Sequence, residues 1–245
     1  MGGVHFAIGG WAAMASGLHA SAEWHQWAKA PWRPEGAMAP TLAAMPAMQR
    51  RRLSPLGRAA AEVAWDCHPS AGSVPVVFAS ACGDAARCLQ LLKEFASVGD
   101  ASPTEFTFSV HNAIGAMYSI ARGDASNYTS VAAGRATAAS GVVEACSLLA
   151  DGAPEVLLVV YDEPLPADYK VFESEAACAY AWAWRIVPPQ HGQHLSLAWS
   201  AARPGEEHRA TDLPSGLDAL RFALSGEPVH RHTDGRLCWT WSRHA

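Results

Sequence analysis

Apolar positions along this 245-residue chain recur in two rhythms, one near two residues and one near three and a half, which alternate from end to end. Val4–Ile8 is a first strand candidate, followed by a Trp-rich stretch with Trp11, Trp24, Trp27 and Trp32. Residues 30–46, rich in Pro, Ala and Met, predict irregular chain. Ala60, Val63, Ala64 and Cys67 fall at i, i+3, i+4 and i+7, so Pro55–Cys67 is predicted as a helix with one buried face. Val74–Ser80 has the length and β-branched content of a buried strand. Ala85, Cys88, Leu89, Leu92 and Phe95 set the next helical stripe, and Ile114, Met117, Tyr118 and Ala121 a third, closed by Gly123 as C-cap.

Tyr128–Ala133 is a short strand candidate, and the stripe Ala139, Val142, Val143, Cys146 and Leu149 predicts a helix over Ala136–Ala150, stopped by Asp151-Gly152. Glu155–Tyr161 is a continuous apolar run, the mark of a strand covered on both faces. Beyond Asp162 follow strand candidates at Cys178–Ile186 and Leu195–Ser200, a short helix at Gly216–Leu224 and an alternating strand at Leu237–Trp241. This alternation of strands and helices predicts an α/β fold.

Half the residues are hydrophobic and 17% are charged, enough to bury a substantial core. The net charge of −5 and a pI near 6.1 argue against nucleic acid or an anionic membrane as partner. No apolar run approaches the ~20 residues that span a bilayer, and MGGVHFAIGGWAAM lacks the pattern of a signal peptide, so a cytoplasmic location is expected. Six cysteines (Cys67, Cys82, Cys88, Cys146, Cys178, Cys238) include no CxxC pair, which excludes a disulfide framework or zinc knuckle of ordinary spacing. The pairs His191/His194 and His230/His232 have no carboxylate or thiol beside them at ligand spacing and are expected as exposed loop residues; no metal and no cofactor are assigned. Walker, GxGxxG and GxSxG patterns are lacking, removing the common nucleotide, dinucleotide and hydrolase readings.

Two stretches carry a resemblance: SPTEFTFSVHNAIGAMYSIARG, Ser102 to Gly123, and YTSVAAGRATAASGVVEACSLLADGAPEVLLVVYDE, Tyr128 to Glu163. In order and spacing, Asn112, Gly123, Gly134, Gly152 and Glu163 resemble the N-terminal half of the β-ketoacyl synthases of the thiolase-like superfamily. QRRRLSPLGRAAAEVAW, Gln49 to Trp65, resembles the same family's basic segment leading into a helix. The SVHN wording and the length are similar to the chain-length-factor-like subunits of aryl polyene and type II polyketide clusters. The resemblance implies half of a thiolase-like fold: a mostly parallel five-stranded sheet covered by helices over residues 1–187. Residues 188–245 would add an extension of short strands and one helix packed on the same domain.

Counted back from Asp151-Gly152, the family's nucleophilic cysteine falls at Arg135, in Gly134-Arg135-Ala136-Thr137. A helix N-terminus favours a thiolate, whereas a guanidinium cannot attack a thioester and sits at the wrong end of the dipole, so it needs a carboxylate or phosphate beside it. The family's catalytic histidines come from HGT and GFG-type contexts that this sequence lacks. The resemblance therefore implies a non-catalytic partner of a full-length ketosynthase in a heterodimer, completing its acyl tunnel.

In that setting the strand with Tyr128 and Val131 would pair across the dimer, and Thr104–Asn112 would reach the partner's tunnel. Extended chain would align Phe106, Phe108 and Val110 on one face, beside His111 and Asn112. Arg50, Arg51 and Arg52 are candidates to dock an acidic acyl carrier protein. The residues leave two alternatives open: a stand-alone thioester-processing enzyme using Cys82 or His111, and a homodimeric acyl-binding module.

Overall fold

The computed structural model describes residues 2–68, 73–189, 194–203 and 212–244. Its elements run β1 (Gly2–Ala15), α1 (Ser21–Lys29), α2 (Ala47–Arg50), α3 (Pro55–Cys67), β2 (Val76–Ala79), α4 (Ala85–Val98), α5 (Pro103–Ser109), α6 (Ala113–Arg122) and β3 (Tyr128–Val131). There follow α7 (Thr137–Ala150), β4 (Val156–Asp162), β5 (Tyr180–Val187), β6 (His194–Ala201), α8 (Ser215–Ser225), β7 (Val229–Thr233) and β8 (Leu237–His244). Turns of 3₁₀ helix at Gly134–Ala136 and Ala167–Phe172 precede α7 and β5.

All eight strands form one sheet in the order β3-β2-β4-β5-β1-β6-β8-β7. Only β2 pairs in parallel, with β3 and with β4; the other five pairings are antiparallel. The expectation of a mostly parallel five-stranded sheet is thereby corrected. Parallel neighbours need a crossover that carries the chain back, usually a helix; here α4 to α6 carry it from β2 to β3 and α7 from β3 to β4. Among the later strands α8 joins β6 to β7, which are not neighbours in the sheet, and each of these strands reverses against its neighbour.

The core has two layers. On one face α1, α7 and α8 cover Val156, Leu158 and Val160 of β4 and Tyr180, Trp182, Trp184 and Ile186 of β5. On the other, α3 and α6 cover Leu157, Val159 and Tyr161, with only Ala181 and Ala183 from β5. The large–small alternation of β5 lets α3 approach closely, and α3 answers with Gly57, Ala59, Ala60, Ala61 and Ala64. Ser54 caps α3 by accepting from the Gly57 amide at 3.1 Å, with Pro55 at the first helical position. Gly141 brings α7 against the sheet: a Cβ there would lie 2.8 Å from Leu158 Cδ1. Beyond β1, the strands β6, β8 and β7 contribute Leu195, Leu197, Trp239 and Trp241 to the first layer and nothing to the second.

Other expectations are revised here. The first strand extends well past Ile8 because β5 and β6 supply hydrogen-bond partners along its two halves. His230 and His232 are not exposed loop residues: they lie on β7, buried, facing the Phe222 and Trp241 rings. His194 is half-buried on β6, while His191 lies outside the described residues. Phe106 and Phe108 stand on helix α5 rather than on extended chain, so they point to different sides. Among the described residues no helix is long and apolar enough to cross a membrane.

Candidate functional site

The carboxyl ends of β2, β3 and β4 open together onto a cavity of about 150 Å³. Cys82, Gly134, Asp162, Glu175, Cys178 and Tyr180 are among its lining residues. Gly134 adopts φ +53°, a left-handed conformation that a side chain would strain, and so turns the chain from β3 into α7. Thr137 Oγ1 locks the turn, accepting from the Ala133 amide at 3.0 Å and donating to the Gly134 carbonyl at 2.7 Å.

Arg135 follows on the 3₁₀ turn, its Nε 3.6 Å from Glu175 Oε2. Glu175 accepts the Ser215 amide at 3.0 Å, and the Ser215 hydroxyl lies 2.9 Å from Glu175 Oε1 and 2.7 Å from the Arg135 carbonyl oxygen. Burial pushes the Glu175 carboxyl above its ordinary range, against the pull of Ser215 and of Arg135. One serine on α8 thus ties both the backbone and the counter-charge of Arg135.

Asp162 ends β4. Its Oδ1 accepts from the Ser80 hydroxyl at 2.8 Å and from the Ala81 amide at 2.9 Å, and Tyr180 donates to Oδ2 at 3.4 Å. Burial pushes this carboxyl up to about 7 even so. The sequence reasoning passed over Asp162, Glu175, Ser215 and Tyr180. Asp162 was signalled as the first polar residue after a doubly covered apolar strand, the end at which open α/β sheets place ligands.

The thiol of Cys82 is exposed on the turn after β2, and partial burial together with the charges of Asp162 and Glu173 pushes its pKa up. That is the opposite of an activated nucleophile. His111 packs over Gly83 with Nε2 2.9 Å from the Ser80 carbonyl oxygen, so this nitrogen is the donor and the ring is held to the backbone. Cys82 and His111 thus share one turn, but its surroundings disfavour a thiolate.

The remaining sequence candidates lie elsewhere on the surface. Phe106 is 60% exposed on α5. Phe108 is half-buried, with the guanidiniums of Arg52 and Arg87 at 5.8 and 5.1 Å from its ring centroid. Asn112 is exposed at the start of α6. Arg50 donates to the Leu42 carbonyl at 3.0 Å, whereas Arg51 and Arg52 border a groove that also carries Asp84, Glu94, Glu105 and Glu163. The basic run therefore faces carboxylates of its own chain. Tyr128 and Val131 lie half-buried on β3, which occupies the edge of the sheet.

The profile of the family described as Beta-ketoacyl synthase, N-terminal domain, matches residues 24–242. Among solved structures, the chain is similar to one from the complex of the ketosynthase ApeO with its chain length factor ApeC from Xenorhabdus doucetiae. Identity is 26% and the TM-score 0.85, over 98% of this chain and 100% of that one. It is also similar to the ishigamide ketosynthase/chain length factor, at 13% identity and TM-score 0.63, over 83% of this chain and 69% of that one. A β-ketoacyl synthase from Burkholderia phymatum STM815 gives 10% identity and TM-score 0.62, over 91% and 71%. At these last two identities the likeness is one of fold. No curated protein matches.

Proposed function

Because the chain belongs to the β-ketoacyl synthase N-terminal-domain family, we propose that it is a non-catalytic, chain-length-factor-like subunit. It pairs with a full-length ketosynthase, completes the partner's acyl tunnel, and so sets how far an acyl chain on a carrier protein is extended. The observation that carries this reading is a run of uncovered apolar side chains leading away from the open edge of β3. Ile120 on α6, Phe106 on α5, and Leu92, Phe95 and Val98 one turn apart on α4 are all exposed. Val171 and Phe172 continue the run on the 3₁₀ turn that Lys93 holds to α4 through Asp168 at 2.8 Å. An apolar surface of this extent beside an unpaired strand edge is a liability in a monomer and an interface in a complex.

On this reading Arg135 fills a nucleophile position that no longer performs chemistry, neutralised by Glu175 and fixed by Ser215. The test is reconstitution with a ketosynthase of the aryl polyene or type II polyketide kind. Alone, the chain should turn over no acyl-thioester, and neither should Arg135→Cys; mixed, it should form a stable heterodimer that elongates acyl groups. The Val131 carbonyl accepts from the Ser80 amide at 3.1 Å, so Val131 faces β2 and the neighbouring Ser130 amide faces the open edge. Ser130→Pro removes that donor and should abolish pairing while the far-ultraviolet spectrum and thermal unfolding remain those of a folded chain. Condensation by the chain alone, or full pairing by the folded Ser130→Pro variant, refutes the proposal.

A further inference from the structure

Toward the end of the sheet remote from β3, three imidazoles meet on the face opposite α1 and α8, where β6 and β8 lie beyond the α3 layer and, among the described residues, contribute nothing to it. His5 on β1, His194 on β6 and His244 on β8 each offer a ring nitrogen, and these atoms all lie within 4.8 Å of one another. The register explains the meeting: His194 pairs directly with His244, and His5 pairs with Ser196, two residues along the same face of β6. Their sheet neighbours Phe6, Leu195 and Trp241 belong to the layer under α1 and α8, so the pleat turns the histidines to the opposite side. Around them on β1, β6 and β8 stand small or hydroxylated residues: Gly3, Ser196, Ala198, Thr240 and Ser242. The metal-ligating groups there are thus three imidazoles from three adjacent strands, while Arg231 on the neighbouring β7 lies opposite Thr240.

We propose that His5, His194 and His244 bind a divalent first-row transition ion of the zinc class. Imidazole is the ligand such ions favour, and three of them with a fourth position left to water is a coordination zinc accepts. The rings of His194 and His244 stack with centroids 4.6 Å apart, and His5 lies 5.6 and 5.8 Å from them. Tetrahedral coordination at ~2.1 Å places ligand nitrogens about 3.4 Å from one another, a closure within reach of side-chain rotation at His5, which is exposed. Ser196 Oγ stands 2.8 Å from His244 Nε2 and fixes that ring, leaving Nδ1 for an ion, the kind of outer support that metal-binding histidines commonly receive. The ion would clip the strand at the start of the chain to the strand at its end, so binding favours the folded state.

The experiment uses the full chain without a polyhistidine tag, stripped with a chelator and titrated with zinc chloride and, for its visible spectrum, with cobalt chloride. One ion per chain, a cobalt band of tetrahedral type and a rise in melting temperature with zinc but not magnesium are expected. His5→Ala and His244→Ala should abolish all three, Ser196→Ala should weaken affinity about tenfold, and His25→Ala, on α1, should bind as wild type. Absence of stoichiometric binding in the wild type, or binding unchanged in His5→Ala and His244→Ala, overturns the site. Should a variant fail to fold without metal, anomalous scattering at the zinc edge from a wild-type crystal decides: a peak among the three rings supports the site and a peak elsewhere overturns it.

Discussion

On β4 every side chain from Val156 to Tyr161 is buried, alternate residues meeting the α7 layer and the α3 layer, whereas β6 and β8 pack only alternate residues, Leu195, Leu197, Trp239 and Trp241, into a helix-covered layer. The two regions belong to one sheet, yet they leave different freedoms. Along β2 and β4 no position is open, and their small polar and charged groups stand at the carboxyl end: Ser80 after β2 and Asp162 closing β4. In the singly covered half the free face runs the length of the strands, and polar side chains can stand on it, as the three histidines do where β6 begins and β8 ends. The difference follows from helix coverage rather than strand composition.

Removing volume separates the two regions most. Leu158→Ala takes methyl groups from beneath Gly141, in a layer with no slack, and should cost about 2–5 kcal/mol. Thr240→Val, on the open face of β8, should change stability by less than about 0.5 kcal/mol. Chemical denaturation of both variants checks the pair; equal losses would mean that the open face is covered after all.

A second test addresses the strand end. Asp162 has a carboxyl raised to about 7 in the folded chain, against an ordinary value of 3.8. The native state therefore holds a proton that the unfolded chain has released between these values, and the group's contribution to stability falls as pH rises from about 4 to about 7. The loss is on the order of a few kcal/mol. Asp162→Asn keeps an acceptor for Ser80 and Ala81 and should flatten this dependence, so that wild type and variant differ more at pH 8 than at pH 5, in the variant's favour. Melting curves across that range measure it; parallel curves would place the titration elsewhere.

Helices α3, α6 and α7 and the strand β4 were legible because their signals are local: a 3.6-residue stripe, Gly123 at φ +62° as the left-handed C-cap, and an unbroken apolar run. Strand direction was not legible, since a run buried on both faces looks the same whether its neighbour is parallel or antiparallel. In β7, Val-His-Arg-His-Thr alternates correctly, but histidine in the inward positions disguises it as polar loop. For α5 the Phe-x-Phe alternation suggested extended chain. The overriding signal was already present in Ser102 as N-cap, Pro103 at the first helical position and Glu105 at the third. The Arg135 position was legible by spacing, but its partners Glu175 and Ser215 lie 40 and 80 residues away and only the fold unites them.

The smallest expected effect on stability has the most to say about function. Phe106 and Phe108 lie two residues apart on α5, one exposed and the other stacked beneath Arg52 and Arg87. Phe108→Ala removes two cation–ring contacts and part of the α3 layer, and should destabilise the chain by about 1–2 kcal/mol. Phe106→Ala should leave it within about 0.5 kcal/mol, because little of that ring is packed against its own chain. If the exposed ring instead bounds the partner's acyl tunnel, trimming it opens room for another two-carbon unit, whose burial is worth roughly 1.6 kcal/mol at ~0.8 per CH₂. A longer product should then become competitive when Phe106→Ala is co-expressed with a ketosynthase and carrier protein, while Phe108→Ala keeps the wild-type length at reduced yield. Product analysis by mass spectrometry reads the outcome: an unchanged length distribution from a well-paired Phe106→Ala complex removes this residue from the tunnel, and a lengthened product from Phe108→Ala alone would reverse the assignment.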